Sequence, residues 1–136
     1  MVRLIMDMKG SGKTKQLIEL VNNAAKDEKG LVVCIEADKN MTYDIHHGTR
    51  LIDAQEYNLN SYELVRGFVS GLYAGNYDIA QVFIDNLCKM VGTDVDNNTE
   101  AFLNWLDVFG EKNGIKFTVT ISAEESAATE GMKKYM

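Results

Sequence analysis

Proline is absent from all 136 residues, although it usually makes up about 5% of a chain. Helix ends must therefore be made by Gly, Asn and Ser rather than by a ring that blocks the backbone. Cysteine is almost as scarce: Cys34 and Cys88 lie within apolar stretches and belong to no CxxC or Cys/His pattern. They read as buried reduced thiols, not as zinc ligands or a disulfide framework. Long hydrophobic runs are missing as well. The longest, Val2 to Met6 and Leu31 to Ile35, fall far short of the roughly 20 residues of a membrane span. No membrane span is expected, and the cytoplasm is the expected location. Positive charge is in deficit, since 14 Lys and Arg against 20 Asp and Glu leave a net charge of -6. That balance repels a phosphate backbone, so no nucleic-acid partner is expected.

What is present reads as one globular domain over residues 1–136. A hydrophobic share of 46% and a charged share of 25% match globular averages and exclude a disordered or fibrous chain. Val2-Arg3-Leu4-Ile5-Met6 has the nearly continuous apolar character of a strand buried on both faces of a parallel sheet. From Lys13 to Glu28, Leu17, Leu20, Val21, Ala24 and Ala25 recur at helical spacing, and Gly30 stands where a left-handed residue would end the helix. Leu31 to Ile35 predicts a second interior strand, Leu51-Ile52-Asp53 a shorter one, and Gln81 to Asp85 a strong one that closes on an acid. Asn60 and Glu63 have capping-box spacing ahead of a helix with Leu64, Val65, Phe68, Val69 and Leu72 on one face, ending near Gly75. A helix from about Asn98 to Lys112 carries Phe102, Trp105, Leu106 and Phe109, stops at Gly114 and precedes a strand from Lys116 to Ile121. Ser122 and Glu125 repeat the capping-box spacing and open a weak last helix interrupted at Gly131. Strands that alternate with helices need crossover connections. The expected fold is α/β: three layers, α/β/α, around a mainly parallel five-stranded sheet.

In such sheets ligands sit beyond the carboxyl ends of the strands. There, between the first strand and the first helix, stands Met8-Lys9-Gly10-Ser11-Gly12-Lys13-Thr14, which resembles the Walker A loop of P-loop nucleotide-binding proteins. Gly10 and Gly12 allow backbone conformations that aim successive N–H groups inward, and the helix beginning at Lys13 adds its positive end. Lys9, Gly10, Ser11, Gly12, Lys13, Thr14 and Lys15 are the candidate nucleotide-binding residues. Lys13 would reach the β and γ oxygens, and Thr14 supplies the short neutral oxygen ligand that suits Mg²⁺. The full pattern GxxxxGK[ST] has glycine where this chain has Asp7. A carboxylate there weakens phosphate binding unless it points away or accepts hydrogen bonds from the loop's own amides. Asp85, closing its apolar strand, resembles a Walker B acid that accepts from Mg²⁺-bound water.

Together these pieces look like the additional-strand class of P-loop NTPases, in which another strand lies between the P-loop strand and the Walker B strand. The strand from Lys116 to Ile121 would fill that place. The resemblance then puts Ser122 where that class often carries a polar sensor of the γ-phosphate, although a serine capping the final helix explains it equally well. Residues 1 to about 87 are similar in layout to the core of type II thymidine kinases: the loop, a strand followed by Asp38, a stretch with Tyr43 and His47, then Asp85. Those enzymes place a catalytic Glu directly after the Walker B Asp. Here that residue is Asn86, which cannot take a proton, and the family's zinc-binding cysteines are missing. In length and element order the chain resembles short bacterial ATP-binding P-loop proteins labelled twitching-motility ATPase-like.

The resemblance implies ATP or GTP binding with Mg²⁺, and slow or partner-dependent hydrolysis, with Glu36 and Asp38 as candidate bases. A nucleoside-like small-molecule kinase is the alternative enzyme. A degenerate module that kept the loop for protein interaction is the alternative outside enzymes. The remaining conspicuous residues carry less. His46 and His47, being adjacent, are expected to point apart in a solvated loop rather than bind metal. Tyr43, Tyr57, Tyr62, Tyr73 and Tyr77 lack interleaved cations and read as core edges or surface contacts. Trp105 reads as core. Asp94-Val95-Asp96 reads as a solvated loop complementing the positive end of the following helix.

Overall fold

The computed structural model describes residues 1–8, 10, 12–27, 29–38 and 44–136. The expectations for Lys9, Ser11 and Tyr43 fall outside the described residues. Within them, β1 (Val2–Asp7), β2 (Leu31–Glu36), β3 (Arg50–Asp53), β4 (Ile79–Asp85) and β5 (Lys116–Ser122) form one sheet. Its order is β1-β5-β4-β2-β3, and every neighbouring pair is parallel. The helices are α1 (Lys13–Asp27), α2 (Tyr62–Gly75), α3 (Leu87–Val91) and α4 (Asn97–Asn113).

The period of two along each strand divides the side chains between two faces. Leu4, Met6, Val33, Ile35, Val82, Ile84, Val119 and Ile121 enter the larger core, together with Val65 and Val69 of α2 and Phe102, Leu103 and Leu106 of α4. Val32, Cys34 and Phe83 face the other way, onto Leu17 and Val21 of α1. Helices therefore cover both faces, which is why the strands are apolar nearly throughout. The fold is three-layer α/β/α, as the alternation of elements implied. β5 lies between β1 and β4.

Several local expectations are corrected. Gly30 is not left-handed; a β-carbon there would lie 2.5 Å from the Asp78 carbonyl oxygen and 2.7 Å from the Ala80 β-carbon. Close approach of the chain entering β4, not backbone sign, is what requires glycine. The cap of α2 is Ser61, whose Oγ accepts from the Leu64 N–H at 3.1 Å, and not Asn60. Asp96 is more than part of a solvated loop: it caps α4, accepting from the Asn98 and Thr99 N–H groups, while Thr99 Oγ1 accepts from the Asp96 N–H at 3.1 Å.

The weak last helix is not α-helical. Ser122 is committed to the sheet opposite Asp7, so it cannot cap, and the chain continues as 3-10 turns at Glu125–Ala127 and Glu130–Tyr135. Met132 and Tyr135 are buried in the larger core, and the Tyr135 hydroxyl donates to Asn104 Oδ1 at 2.6 Å. Trp105 is only half-buried, stacked on Phe109 with Arg66 over its face.

Candidate functional site

Parallel strands end together, and the carboxyl ends of β1, β5, β4 and β2 meet beside the start of α1. A cavity of about 1760 Å³ opens there, with Gly10, Gly12, Lys13, Thr14, Lys15, Asp38, Asp85, Asn86, Lys89 and Ser122 among the residues that line it. Gly10 has φ of 89° and Gly12 of 92°, values at which a side chain would be strained. The Gly12 carbonyl accepts from the Gln16 N–H at 3.0 Å and so starts α1. No acid stands in the first turn of that helix, where one normally answers the positive end of the helix dipole. Instead the turn begins Lys13-Thr14-Lys15. Lys13 is only 7% exposed, whereas Thr14 and Lys15 are open to solvent.

Asp7 accepts from the Met8 N–H at 2.9 Å and does not line the cavity. It braces the turn leaving β1, the second of the two arrangements under which a carboxylate there is harmless to a phosphate.

Asp85 is buried, and its Oδ1 accepts from the Thr120 hydroxyl at 2.9 Å. Burial pushes its pKa above the ordinary carboxylate value; the Thr120 hydrogen bond and the Lys13 charge pull it down, and the Asp38 charge pushes it up. Asn86 follows in the left-handed region, φ 59° and ψ 57°, and its N–H donates to Thr120 Oγ1 at 2.8 Å. Asparagine tolerates that conformation better than other residues bearing a side chain. The turn it makes launches α3, an element the sequence pattern did not reveal. α3 carries Lys89, whose ammonium pairs with Asp38 Oδ2 across the mouth of the cavity. Cys88, also on α3, is half-buried and lines the cavity rather than lying in the core; burial, with Asp94 and Asp96 adding, pushes its thiol up to about 11. Cys34 is fully buried.

The structure thus brings together Gly10, Gly12, Lys13, Thr14, Lys15, Asp38, Asp85 and Ser122. Glu36 stands apart. It is fully buried, beside Asp85 in the β2–β4 register, but it lines a separate cavity of about 240 Å³ with Arg50, Asp53, Glu56 and Tyr57. His46 and His47 do not point apart: their rings stack at 4.5 Å. Their loop is tied to α1 by Asn22, whose Oδ1 accepts from the His46 N–H at 2.7 Å and whose amide donates to the Asp44 carbonyl at 2.8 Å. Among the described residues no three His, Cys, Asp or Glu side chains gather as a metal cluster.

Sequence reasoning missed Lys89 and Thr120. A polar Thr inside an apolar strand is the only local sign of the second, and it is indistinguishable from ordinary β-propensity. No protein-family model matches the chain, and no curated protein is similar to it.

Proposed function

We propose that the chain binds a nucleoside triphosphate, ATP or GTP, with Mg²⁺ through the loop before α1, and that any hydrolysis is slow or depends on a partner. The observation that carries this reading is Lys13. It is a nearly buried ammonium at the start of a helix with no acid in its first turn, and it shares a cavity with Thr14, Asp85 and Ser122. Burying a cation is costly unless an anion completes its surroundings. Among the described residues it forms no ion pair. A polyphosphate would supply the missing charge, with the loop's N–H groups and the helix end around it.

The lining also favours a metal complex over the bare nucleotide. Among the described residues it holds five carboxylates, Glu19, Asp38, Asp44, Asp85 and Asp94, against three lysines, Lys13, Lys15 and Lys89. That balance repels an uncompensated triphosphate. The donors fit a hard cation, because the Thr14 hydroxyl and the Asp85 carboxylate are both oxygen ligands, and Asp85 would act through water. Bound there, Mg²⁺ would neutralise charge on the β and γ oxygens. Lys13 would hold those oxygens, and Ser122 stands at the end of β5 within reach of the same space.

Slow turnover follows from what surrounds Asp85. The next residue is a neutral amide, Glu36 lies outside the cavity, and Asp38 is engaged by Lys89. None of these is a free base aimed at an attacking water.

Thermal unfolding with saturating MgATP, or MgGTP in parallel, beside the Lys13→Ala variant tests the reading. A ligand at about 100 times its dissociation constant adds about 2.7 kcal/mol. For a chain of this size the midpoint should rise by roughly 5 to 15 °C, and Lys13→Ala should lose the rise. No shift in either chain would overturn nucleotide binding and favour the interaction module.

A further inference from the structure

We infer that Thr120 is a positioning residue for Asp85: it holds one carboxylate oxygen toward the protein and leaves the other for the water shell of a bound cation. The inference rests on the nucleotide reading above and deepens it. In the parallel register Ile84 pairs with Val119, so Asp85 and Thr120 come next on adjacent strands. By the period of two both lie on the same face as Phe83, which packs toward α1. Thr120 has no exposed surface, and its flanking residues Val119 and Ile121 are equally buried.

The direction of the hydroxyl follows from counting hydrogens. A threonine hydroxyl has one hydrogen to give and lone pairs to receive. The Asn86 N–H, 2.8 Å away, can only donate, so Oγ1 accepts from it. The single hydroxyl hydrogen goes to Asp85 Oδ1, 2.9 Å away. An ionised carboxylate accepts at both oxygens, so Oδ1 is occupied by the protein while Oδ2 keeps its capacity for a ligand. The same oxygen of Thr120 secures the left-handed turn at Asn86, and through it the start of α3, which carries Lys89 across the cavity mouth. One hydroxyl on β5 therefore sets both the rotamer of the acid and the backbone that follows it.

A residue that only filled the core would affect folding, and nucleotide affinity equally with and without metal. A residue that aims Asp85 would affect the gain in affinity that Mg²⁺ brings. The dissociation constant for ATP is therefore measured in excess Mg²⁺ and in EDTA, for the full chain and for Thr120→Val and Thr120→Ser, at a temperature where circular dichroism shows each folded. Thr120→Val is expected to cut the Mg²⁺-dependent gain by about tenfold, the scale of a lost hydrogen bond to a charged group, with the EDTA value nearly unchanged. Thr120→Ser, which keeps the hydroxyl, is expected to restore the gain. Should Thr120→Val fail to fold, Thr120→Cys, with a weak donor of similar size, takes its place and is expected to lose part of the gain.

A hydroxyl-free or thiol variant that keeps the full gain, or loses affinity equally in EDTA, overturns the inference while leaving nucleotide binding standing. A wild-type chain that binds no ATP in either condition overturns both.

Discussion

Asp85 is a carboxylate kept where its charge is disfavoured. Burial raises its pKa above the ordinary value, against the opposing pull of Thr120 and Lys13. An acid whose folded pKa is raised penalises the folded state. The penalty is absent below the unfolded pKa, grows as pH rises through it, and is complete above the folded value. Asp85→Asn is therefore expected to stabilise the nucleotide-free chain at neutral pH, because Asn can still accept from Thr120. The advantage should shrink as pH falls toward about 4, the unperturbed carboxylate range. Urea unfolding at both pH values checks the sign; equal stability of the two chains at neutral pH would contradict it. The same variant gives up the acid that would face the cation, so stability and proposed function are opposed at this one residue. At this scale the sequence was informative about Lys13, Thr14 and Asp85, because their spacing around the loop and strand end is local. It was silent on Thr120 and Lys89, whose partners lie 35 and 51 positions away.

Helix ends show how far local rules reach. The stops at Gly75 and Gly114 stand close to where the sequence placed them. The starts were read less well. Ser61 rather than Asn60 caps α2, since either polar residue satisfies the pattern and only the extended backbone at Ser61 decides. Asp96 and Thr99 form a reciprocal cap on α4, with Thr99 fully buried and also bonded to the Tyr62 hydroxyl at 2.8 Å. Asp96→Ala leaves two N–H groups of α4 without their acceptor and is expected to cost about 1 kcal/mol. A urea midpoint indistinguishable from wild type, at unchanged slope, would show that water replaces the cap at no cost. α3 escaped notice because five residues provide too little periodicity to separate a helix from a turn.

Over the whole molecule, the two sheet faces carry unequal loads. The face toward α2 and α4 holds the larger core, and the face toward α1 a smaller one that leaves room for the cavity at the strand ends. The larger core is closed by the final 3-10 turn, where Met132 has no exposed surface and Thr129 donates to Glu100 Oε1 at 2.6 Å. Met132→Ala is expected to cost about 2–5 kcal/mol, the range for emptying a buried site of that size. Chemical denaturation measures this, and a loss below about 1 kcal/mol would mean the site collapses around the smaller side chain.

The amino-acid sequence by itself determined the strand and helix content, the α/β class and the glycine-lysine loop. Each of these arises from interactions within a few neighbouring residues, where periodicity and capping operate. Strand order is different in kind. That β5 lies between β1 and β4 followed in the sequence only from a resemblance, because nothing in Lys116 to Ser122 states which strands will flank it. The tertiary structure decided it. Once β5 occupies that position, its register alone puts Thr120 beside Asp85 and Ser122 beside Asp7. The chain from β2 brings Asp38 to Lys89 in the same way. Such pairings depend on hydrogen-bond ladders between segments distant in sequence, and a ladder has no local signature.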